Sequence, residues 1–366
     1  MIFIDRQSEF DPAIRRVAAN PSVAIDTEAD SLHSYFDKVC LVQISIPGDD
    51  LIVDPLAKLD LSQFGTLLAE PSITKILHGG DYDLRILNRD FGFTASNVID
   101  TMICAQLLGY EGIGLAALLE RYFAITVDKS HQRADWAQRP LPRVMLEYAS
   151  SDTRHLIELA RQMREELTAL GRWEWATEEF ARLEAVRFTE KEDAGEAFRR
   201  LKGIGALDRR SLAIVRALHG WRDELARAAD KPPFKIFGNE AIVEVAKARA
   251  STAEALEQVK AFPQTLRRRY GKEMLRRVRE ALALPDDALP AKGDGRGWNR
   301  DKALEARIAK LKTVRDRRAK ELKIDPGVLA PRHVLTALAA ARDLDQVPSM
   351  REWQKRVVGK ELLGVL

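Results

Sequence analysis

The chain has 366 residues, 46% of them hydrophobic, and a formal net charge of +3. This length exceeds one typical domain, so we expect two or three compact units of roughly 100 to 200 residues. The sequence lacks a signal-like leader, an apolar run of ~18 residues and paired cysteine motifs, which excludes membrane-spanning and disulfide-rich secreted proteins and indicates a cytoplasmic one.

The first 190 residues show the patterns of an α/β sheet covered by helices. Short apolar runs bounded by turn residues predict strands at 22–25, 39–46, 50–53 and 73–78. Amphipathic spacing predicts helices at 59–69, 82–90, 101–108, 115–122 and 141–170.

From about residue 197 the pattern changes to one helix after another. Helices are predicted at 198–201, 210–228, 239–248, 252–261 and 263–283, with Asp208 capping the second of them. A linker rich in Pro, Gly and Asp at 284–297 precedes a second helical block. The predicted domains are therefore 1–190, 197–283 and 298–366.

The small net charge hides an acidic half and a basic half. Residues 1–190 hold 19 Lys and Arg against 30 Asp and Glu, whereas residues 191–366 hold 39 against 25. The acidic part can bind divalent cations and the basic part can bind phosphates. Clusters at 267–269 and 315–318 favour a nucleic-acid partner, with solvated helix faces as the alternative.

Three short motifs carry acids whose spacing is typical of a two-metal phosphodiesterase. Carboxylates are ligands that Mg²⁺ and Mn²⁺ prefer, and two such ions can hydrolyse a phosphodiester. Alternate residues share a face in a strand, and residues four apart share a face in a helix. The acids and their neighbouring tyrosine are Asp26, Glu28, Asp81, Asp83, Tyr148 and Asp152.

The order Asp-x-Glu, then Asp, then Tyr-x-x-x-Asp resembles the DEDDy branch of the DEDD 3′-5′ exonuclease superfamily. Within it, the chain resembles the ribonuclease D family, and the helical block at 197–283 resembles an HRDC domain, with 298–366 a weaker match to the same module. The segments that carry the ribonuclease D likeness are 78–84, Lys129-Ser130, Asp135-Trp136, 139–141 and 148–156.

The resemblance implies a ribonuclease-H-like exonuclease domain, with a mixed sheet flanked by helices, followed by two all-α helical-bundle HRDC-like domains. It also implies a metal-dependent 3′-5′ exoribonuclease that releases 5′-monophosphates and acts as a monomer on tRNA precursors with 3′ extensions. Truncation near Glu190 is then expected to spare chemistry on short single strands. A 3′-5′ DNA exonuclease and a non-catalytic nucleic-acid-binding protein are the alternatives, although the latter predicts a missing acid and none is missing.

The same resemblance assigns roles within the site. Asp26 would bridge two divalent ions, Mg²⁺ or Mn²⁺, while Glu28 and Asp152 would complete the first ion's ligands. Asp83 would serve the second ion through waters, and Tyr148 would orient the attacking water.

The second motif leaves a choice between two acids. Leu84 directly follows Asp83, as in the family's His-x-x-x-x-Asp-Leu pattern, so the metal is assigned to Asp83. Asp81 is interpreted as the N-cap of the following helix.

Further residues near these motifs are candidates for substrate binding. The resemblance places Leu32, His33 and Tyr35, just beyond the first motif, against the terminal nucleotide. His78 ends a predicted strand and could reach a phosphate. Arg139 is a candidate phosphate contact, with a purely structural role in fixing the loop before Tyr148 as the alternative.

Overall fold

The computed structural model describes residues 1–127, 133–190, 194–291 and 301–366. Lys129, Ser130 and most of the second half of the predicted linker lie outside the described residues. The chain forms two compact units. We call them the sheet unit, comprising Met1–Ala29, Lys38–Phe188 and Arg300–Leu366, and the helical unit, comprising Asp30–Asp37 and Thr189–Asn299.

A mixed sheet of six strands lies at the centre of the sheet unit. The strands are β1 Ile2–Ile4, β2 Ser22–Ala29, β3 Val39–Ile46, β4 Asp49–Val53, β5 Thr74–Leu77 and β6 Val98–Asp100. Their order in the sheet is β1-β4-β3-β2-β5-β6. The central strand β2 pairs antiparallel with β3 and parallel with β5, which confirms the predicted mixed sheet.

Helices cover both faces of this sheet. They are α1 Gln7–Ala18, α2 Ser62–Ala69, α3 Asp81–Phe91, α4 Thr101–Leu108, α5 Leu115–Phe123, α6 Arg143–Arg154, α7 Leu156–Ala169 and α8 Trp173–Glu184. Apolar residues of α1, α2 and α3 share one core with Val23 and Ile25 of β2. Ala24, between them, points to the opposite face, where it packs with residues of α4 and α7. The alternation along β2 therefore decides which side chains face α6 and α7.

The predicted helix at 141–170 is wrong in one respect, because the structure has two helices there. The first ends at Arg154 and the second begins at Leu156, with His155 between them at φ −104° and ψ −2°. The break lets each helix follow its own line across the sheet, so that Ala149 packs beside β3 and Leu159 packs against α4.

The helical unit is a bundle built around aromatic side chains. Its helices are α9 Arg209–Ala228, α10 Pro233–Ile236, α11 Asn239–Ala248, α12 Ala253–Glu257 and α13 Gln264–Leu282. Trp221 contacts Phe237 and Tyr270, with ring centroids 5.5 and 6.0 Å apart. Asp208 accepts a hydrogen bond from the Ser211 amide at 2.9 Å, which confirms the predicted cap of α9.

The second helical block belongs to the sheet unit and shares its core. Its helices are α14 Lys302–Leu322, α15 Pro326–Leu329, α16 Arg332–Ala341, α17 Glu352–Gln354 and α18 Lys360–Leu363. Leu311 and Leu338 are buried in one cluster with Cys104 of α4 and Leu159 of α7. Residues 1–190 therefore share their core with the second helical block, and truncation near Glu190 would expose the apolar surface that this block covers.

A buried arginine adds polar contacts to this packing. Arg172 donates to the Leu107 carbonyl at 2.7 Å and to the Leu322 carbonyl at 2.6 Å, which joins the end of α4 to the end of α14.

Across the described ranges, no helix is both long and apolar enough to span a bilayer.

Candidate active site

The first pair of acids lies on β2, in the middle of the sheet. Asp26 and Glu28 are separated by Thr27, so strand alternation places both carboxylates on the face covered by α6 and α7. Thr27 points to the other side of the strand, where its hydroxyl donates a hydrogen bond to Asp83.

The acid of the second motif lies at the start of α3. Asp83 is buried, with 7% of its surface exposed, and is among the charges that act on Asp26 and Glu28. Asp81 is exposed and accepts hydrogen bonds from Arg85 at 2.7 and 3.0 Å. The prediction that Asp81 caps α3 is wrong, because the N-cap is Gly80 and Asp81 is already the first helical residue. Its side chain therefore pairs with an arginine one turn along the helix.

The third motif lies on α6. Tyr148 and Asp152 are one turn apart and line the same cavity as Asp26 and Glu28, which has a volume of about 520 Å³. The ring of Tyr148 lies 6.1 Å from that of buried Trp136, which holds the phenol against the loop before α6.

Burial raises the pKa values of these acids, and the charges of neighbouring acids add to the effect for several of them. Burial raises the pKa of Glu28 to about 9, with the charges of Asp152 and Asp83 adding to the effect. Burial likewise raises the pKa of Asp152 to about 7 and that of Asp83 to about 6. The pKa of Asp26 is raised well above its usual value, first by burial and then by its three acidic neighbours. Such a cluster is costly to ionise unless cations lie among the carboxylates.

The geometry of the cluster fits a divalent metal. One carboxylate oxygen from each of Asp26, Glu28 and Asp152 lies within 4.8 Å of the other two. All three donors are hard oxygen ligands, which suits Mg²⁺ or Mn²⁺ better than softer ions. Asp83 lies beside this group of three, held by Thr27, and not within it.

His78 is the only predicted substrate residue outside the three motifs that lines the described cavity. It follows β5, and its Nδ1 lies 2.9 Å from the Thr101 hydroxyl. Its Nε2 is buried and has no hydrogen-bond partner among the described residues. Burial lowers the pKa of His78, which favours the neutral ring, and the Nε2 atom of a neutral ring can donate or accept one hydrogen bond.

The other predicted substrate residues have protein contacts of their own. Leu32, His33 and Tyr35 belong to the helical unit, where the Tyr35 hydroxyl donates to Asp223 at 2.9 Å and the His33 ring lies 3.3 Å from Lys235 Nζ. Leu32 is 41% exposed. Their contact with a nucleotide stays a prediction.

Arg139 is engaged on several sides by the protein itself. Its Nε and one terminal nitrogen donate to the Asp54 carboxylate at 2.6 and 2.7 Å. The guanidinium also donates to the carbonyls of Cys40 and Trp136 at 3.0 and 2.8 Å. These contacts support the structural alternative, in which Arg139 fixes the loop before α6, and its phosphate contact stays a prediction.

The two arginine clusters differ in what they offer a phosphate. Arg315 is buried and donates to the Ala330 carbonyl at 3.0 Å, and Arg317 pairs with Glu361 at 2.7 Å. In α13, by contrast, Arg268 and Arg269 are exposed. Arg315 and Arg317 of 315–318 therefore contact other groups of the second helical block, whereas Arg268 and Arg269 of 267–269 lie on the surface of α13.

Sequence patterns did not single out two further parts of the site. Thr27 stands between two acids, but its neighbours give no sign that it binds a third acid 56 positions away. Met102, at the start of α4, and residues 114–117 also line the cavity. Gly114 is the N-cap of α5, and nothing in its local pattern indicates a cavity wall.

Comparisons with known proteins agree with this site. A family model described as 3'-5' exonuclease matches residues 1–168, and an HRDC domain model matches residues 211–278 and 305–366. The chain is 31% identical to Ribonuclease D of Acidiphilium cryptum over 353 residues, covering 95% of this chain and 88% of that protein. It is 33% identical to Ribonuclease D of Escherichia coli over 276 residues, covering 75% and 73%.

Solved structures extend the likeness to the whole chain. The crystal structure of Escherichia coli RNase D, described as an exoribonuclease involved in structured RNA processing, matches with a TM-score of 0.75 and 27% identity, covering 100% of this chain and 98% of that one. A protein from Bifidobacterium adolescentis matches with a TM-score of 0.84 and 27% identity, covering 100% and 96%. With its acidic cluster, its exonuclease domain and its HRDC modules, the chain belongs to the ribonuclease D family of 3′-5′ exoribonucleases.

Proposed function

We propose that the protein shortens tRNA precursors from their 3′ ends, one 5′-monophosphate at a time, with two divalent ions, Mg²⁺ or Mn²⁺. The observation that supports this most directly is the cluster of Asp26, Glu28 and Asp152, whose ligand oxygens lie within 4.8 Å of one another in the cavity that also contains Tyr148. Ions bound there would acidify a water molecule and neutralise charge on the leaving oxygen.

Each residue of the cluster has a distinct part in this proposal. Asp26 has acidic neighbours on β2, α3 and α6, which supports a role for it in binding both ions, while Glu28 and Asp152 would serve the first. Asp83, buried and held by Thr27, would act on the second through waters.

Tyr148 would orient the attacking water. A phenol hydroxyl can both donate and accept a hydrogen bond, so it can hold a water molecule in place. Positioning is therefore the role that we propose for it.

The choice of a structured substrate is supported by the distribution of charge. Residues 191–366 carry an excess of 14 positive charges, and exposed Arg268 and Arg269 lie on one helix of the helical unit. Basic residues of this kind can bind the phosphates of a folded RNA whose 3′ end is being cut. We also propose that one copy of the chain suffices, as a monomer. The predicted bounds 1–190, 197–283 and 298–366 then describe modules of the sequence, the first and last of which share the core of the sheet unit.

The test uses RNA and DNA strands of one sequence, labelled at the 5′ end, and a tRNA precursor with a 3′ extension. With Mg²⁺ or Mn²⁺, the full chain should produce labelled RNA products shortened from the 3′ end and should trim the precursor to its mature length. Faster shortening of DNA would favour a DNA exonuclease. Binding without shortening, in every metal tried, would favour the non-catalytic alternative.

A further inference from the structure

Gln43, in the middle of β3, is a buried amide with no hydrogen-bond partner in the part of the chain that the structure describes. None of its surface is exposed, and neither Oε1 nor Nε2 has a hydrogen-bond partner among the described residues. Buried polar side chains in native proteins almost always have partners, so a doubly unpaired amide requires an explanation.

The strand register places this amide beside the proposed metal site. Gln43 is the direct antiparallel partner of Asp26 in the pairing of β2 with β3. Directly opposed residues project from the same face of a sheet, with Cβ atoms about 4.5 to 5.5 Å apart. The Gln43 side chain therefore starts next to that of Asp26, on the face that carries Glu28 and that α6 covers.

The neighbours of Gln43 along β3 and on β4 do not offer it a free acceptor. Leu41 and Ser45 flank Gln43 along β3, and Ile52 is its partner on β4. Leu41 and Ile52 are apolar. The Ser45 hydroxyl is already engaged, with Asp50 at 2.8 Å and with Thr153 of α6 at 2.7 Å.

The helix α6 covers this face. Its Ala149 is apolar, its Ser150 hydroxyl donates to the Glu147 carbonyl at 2.9 Å, and its Asp152 carboxylate belongs to the acidic cluster. Among the residues that flank Gln43 on β3 or pair with it on β2 and β4, Asp26 carries the carboxylate acceptor.

We propose that Gln43 is a positioning residue for Asp26: its Nε2 donates a hydrogen bond to the Asp26 carboxylate when that carboxylate is ionised and binding metal. The inference rests on the proposed function. A hydrogen bond of this kind fixes which carboxylate oxygen faces the ions, and such supporting contacts typically affect metal affinity or activity by ~10- to 100-fold.

The residue type suits this task. An amide donates a hydrogen bond without adding charge, whereas a glutamate here would add another acid to the crowded cluster and a lysine would compete with the cations. Glutamine also reaches further than asparagine, which matters for a contact across paired strands.

The test compares Gln43→Met with Gln354→Met in the full chain. Gln354 is a matched control, because it is also buried in the sheet unit, but its amide donates to the Val328 carbonyl at 2.9 Å and its carbonyl accepts from the Arg351 amide at 3.0 Å. Metal binding is measured by titration calorimetry with Mn²⁺ alone, stability by thermal unfolding in chelator, and turnover on a short RNA.

Gln43→Met should weaken Mn²⁺ binding by ~10-fold or more and lower kcat by ~10- to 100-fold, with KM for RNA within about twofold. Its metal-free unfolding temperature should equal or exceed that of the wild type, because an unpaired buried amide has been removed. Gln354→Met should show the reverse pattern, with a lower unfolding temperature and unchanged Mn²⁺ affinity.

The inference would be overturned if Gln43→Met kept the Mn²⁺ affinity and kcat of the wild type. It would also be overturned if Gln43→Met lost as much metal-free stability as Gln354→Met while its Mn²⁺ binding stayed intact. These failures differ from failure of the proposed function, which would appear as an absence of Mn²⁺ binding in the wild type or as unchanged binding in Asp26→Asn.

Discussion

The acids of the site are held by contacts of different kinds. Asp83 accepts a hydrogen bond from the Thr27 hydroxyl, which lowers its pKa against the larger effect of burial. Asp26 and Glu28 are fixed by the strand itself, while Asp152 depends on the placement of α6. Each side chain is therefore positioned before a metal arrives, which reduces the ordering that metal binding requires.

Replacing Tyr148 by phenylalanine separates the phenol from the acids. Tyr148→Phe removes one hydroxyl and leaves the ring that packs near Trp136, so Mn²⁺ affinity and stability should stay close to wild type. The hydrolysis rate at saturating RNA should fall by ~10²- to 10⁴-fold, as for a positioned proton-transfer group. Single-turnover kinetics measure this, and an unchanged rate would reduce Tyr148 to a packing role.

The raised pKa values predict how stability depends on pH in the metal-free protein. Asp83, Asp152 and Glu28 have pKa values of about 6, 7 and 9 in the folded state, above their usual values. The folded state therefore binds more protons than the unfolded chain, and stability is lost as the pH rises through these values. The thermal midpoint in chelator should fall between pH 5 and pH 9, and Asp152→Asn should reduce that fall. A midpoint that rises over this range, or a slope unaffected by Asp152→Asn, would count against the cluster.

The residues that sequence identified are those whose chemistry is tied to local spacing. Asp26 with Glu28 and Tyr148 with Asp152 are close in sequence, so the period of a strand or helix predicts their faces. Thr27 contacts Asp83 only because α3 packs against β2, and Gln43 lies beside Asp26 only because of the register between β2 and β3. Such contacts depend on tertiary structure, which local patterns do not specify.

Among the secondary-structure elements, prediction worked best for strongly patterned segments of eight to ten residues. The bounds of β3, α4 and α11 are those predicted, whereas β1 and β6, with three residues each, were missed. A strand of three residues is too short to show alternation, and it forms because a longer neighbouring strand offers it hydrogen bonds. Tertiary pairing therefore decided the edges of the sheet.

The end of α4 shows how one element joins the second helical block. Gly109 has φ +81°, and a Cβ added there would overlap the Lys323 carbonyl oxygen. Gly92, at the end of α3, has a similar φ of +72° but open space around it. The two glycines therefore separate the cost of a left-handed backbone from the cost of close packing.

Gly92→Ala should lower the free energy of unfolding by about 1 kcal/mol, the usual cost of a left-handed conformation. Gly109→Ala carries that cost and also displaces backbone at Lys323, so its loss should exceed about 3 kcal/mol. Denaturant unfolding of both variants makes the comparison. Equal losses of unfolding free energy in the two variants would show that Gly109 is not packed closely against the Lys323 carbonyl.

At the scale of the whole molecule, the order of modules along the chain differs from their grouping in space. The second helical block, last in sequence, packs into the core of the sheet unit, while Asp30–Asp37, near the start, belongs to the helical unit. Composition separated the acidic and basic halves, but it carries no information about which helices share a core. A test of the basic half therefore requires substitutions on the surface, and deletion is unsuitable.

Neutralising Arg268 and Arg269 of α13 provides that test. The double change Arg268→Gln and Arg269→Gln should weaken RNA binding and make it less salt-dependent, reducing the slope of log K against log salt by about 1 to 1.5 if both contact phosphates of single-stranded RNA. Arg317→Gln is the matched control, because Arg317 already pairs with Glu361. Filter binding at several salt concentrations measures the slopes. Equal slopes in all three proteins would mean that this face of α13 is only solvated.

The most direct test of the account compares Asp26→Asn with Asp81→Asn. Both remove one negative charge, but Asp26 lies in the cluster, whereas Asp81 is exposed and paired with Arg85. With saturating Mn²⁺ and 5′-labelled RNA, Asp26→Asn should keep less than about a hundredth of the wild-type hydrolysis rate while remaining folded, and Asp81→Asn should stay near wild type. An Asp26→Asn variant that retains more than about a tenth of the wild-type rate would contradict the assignment of the metal site to these acids.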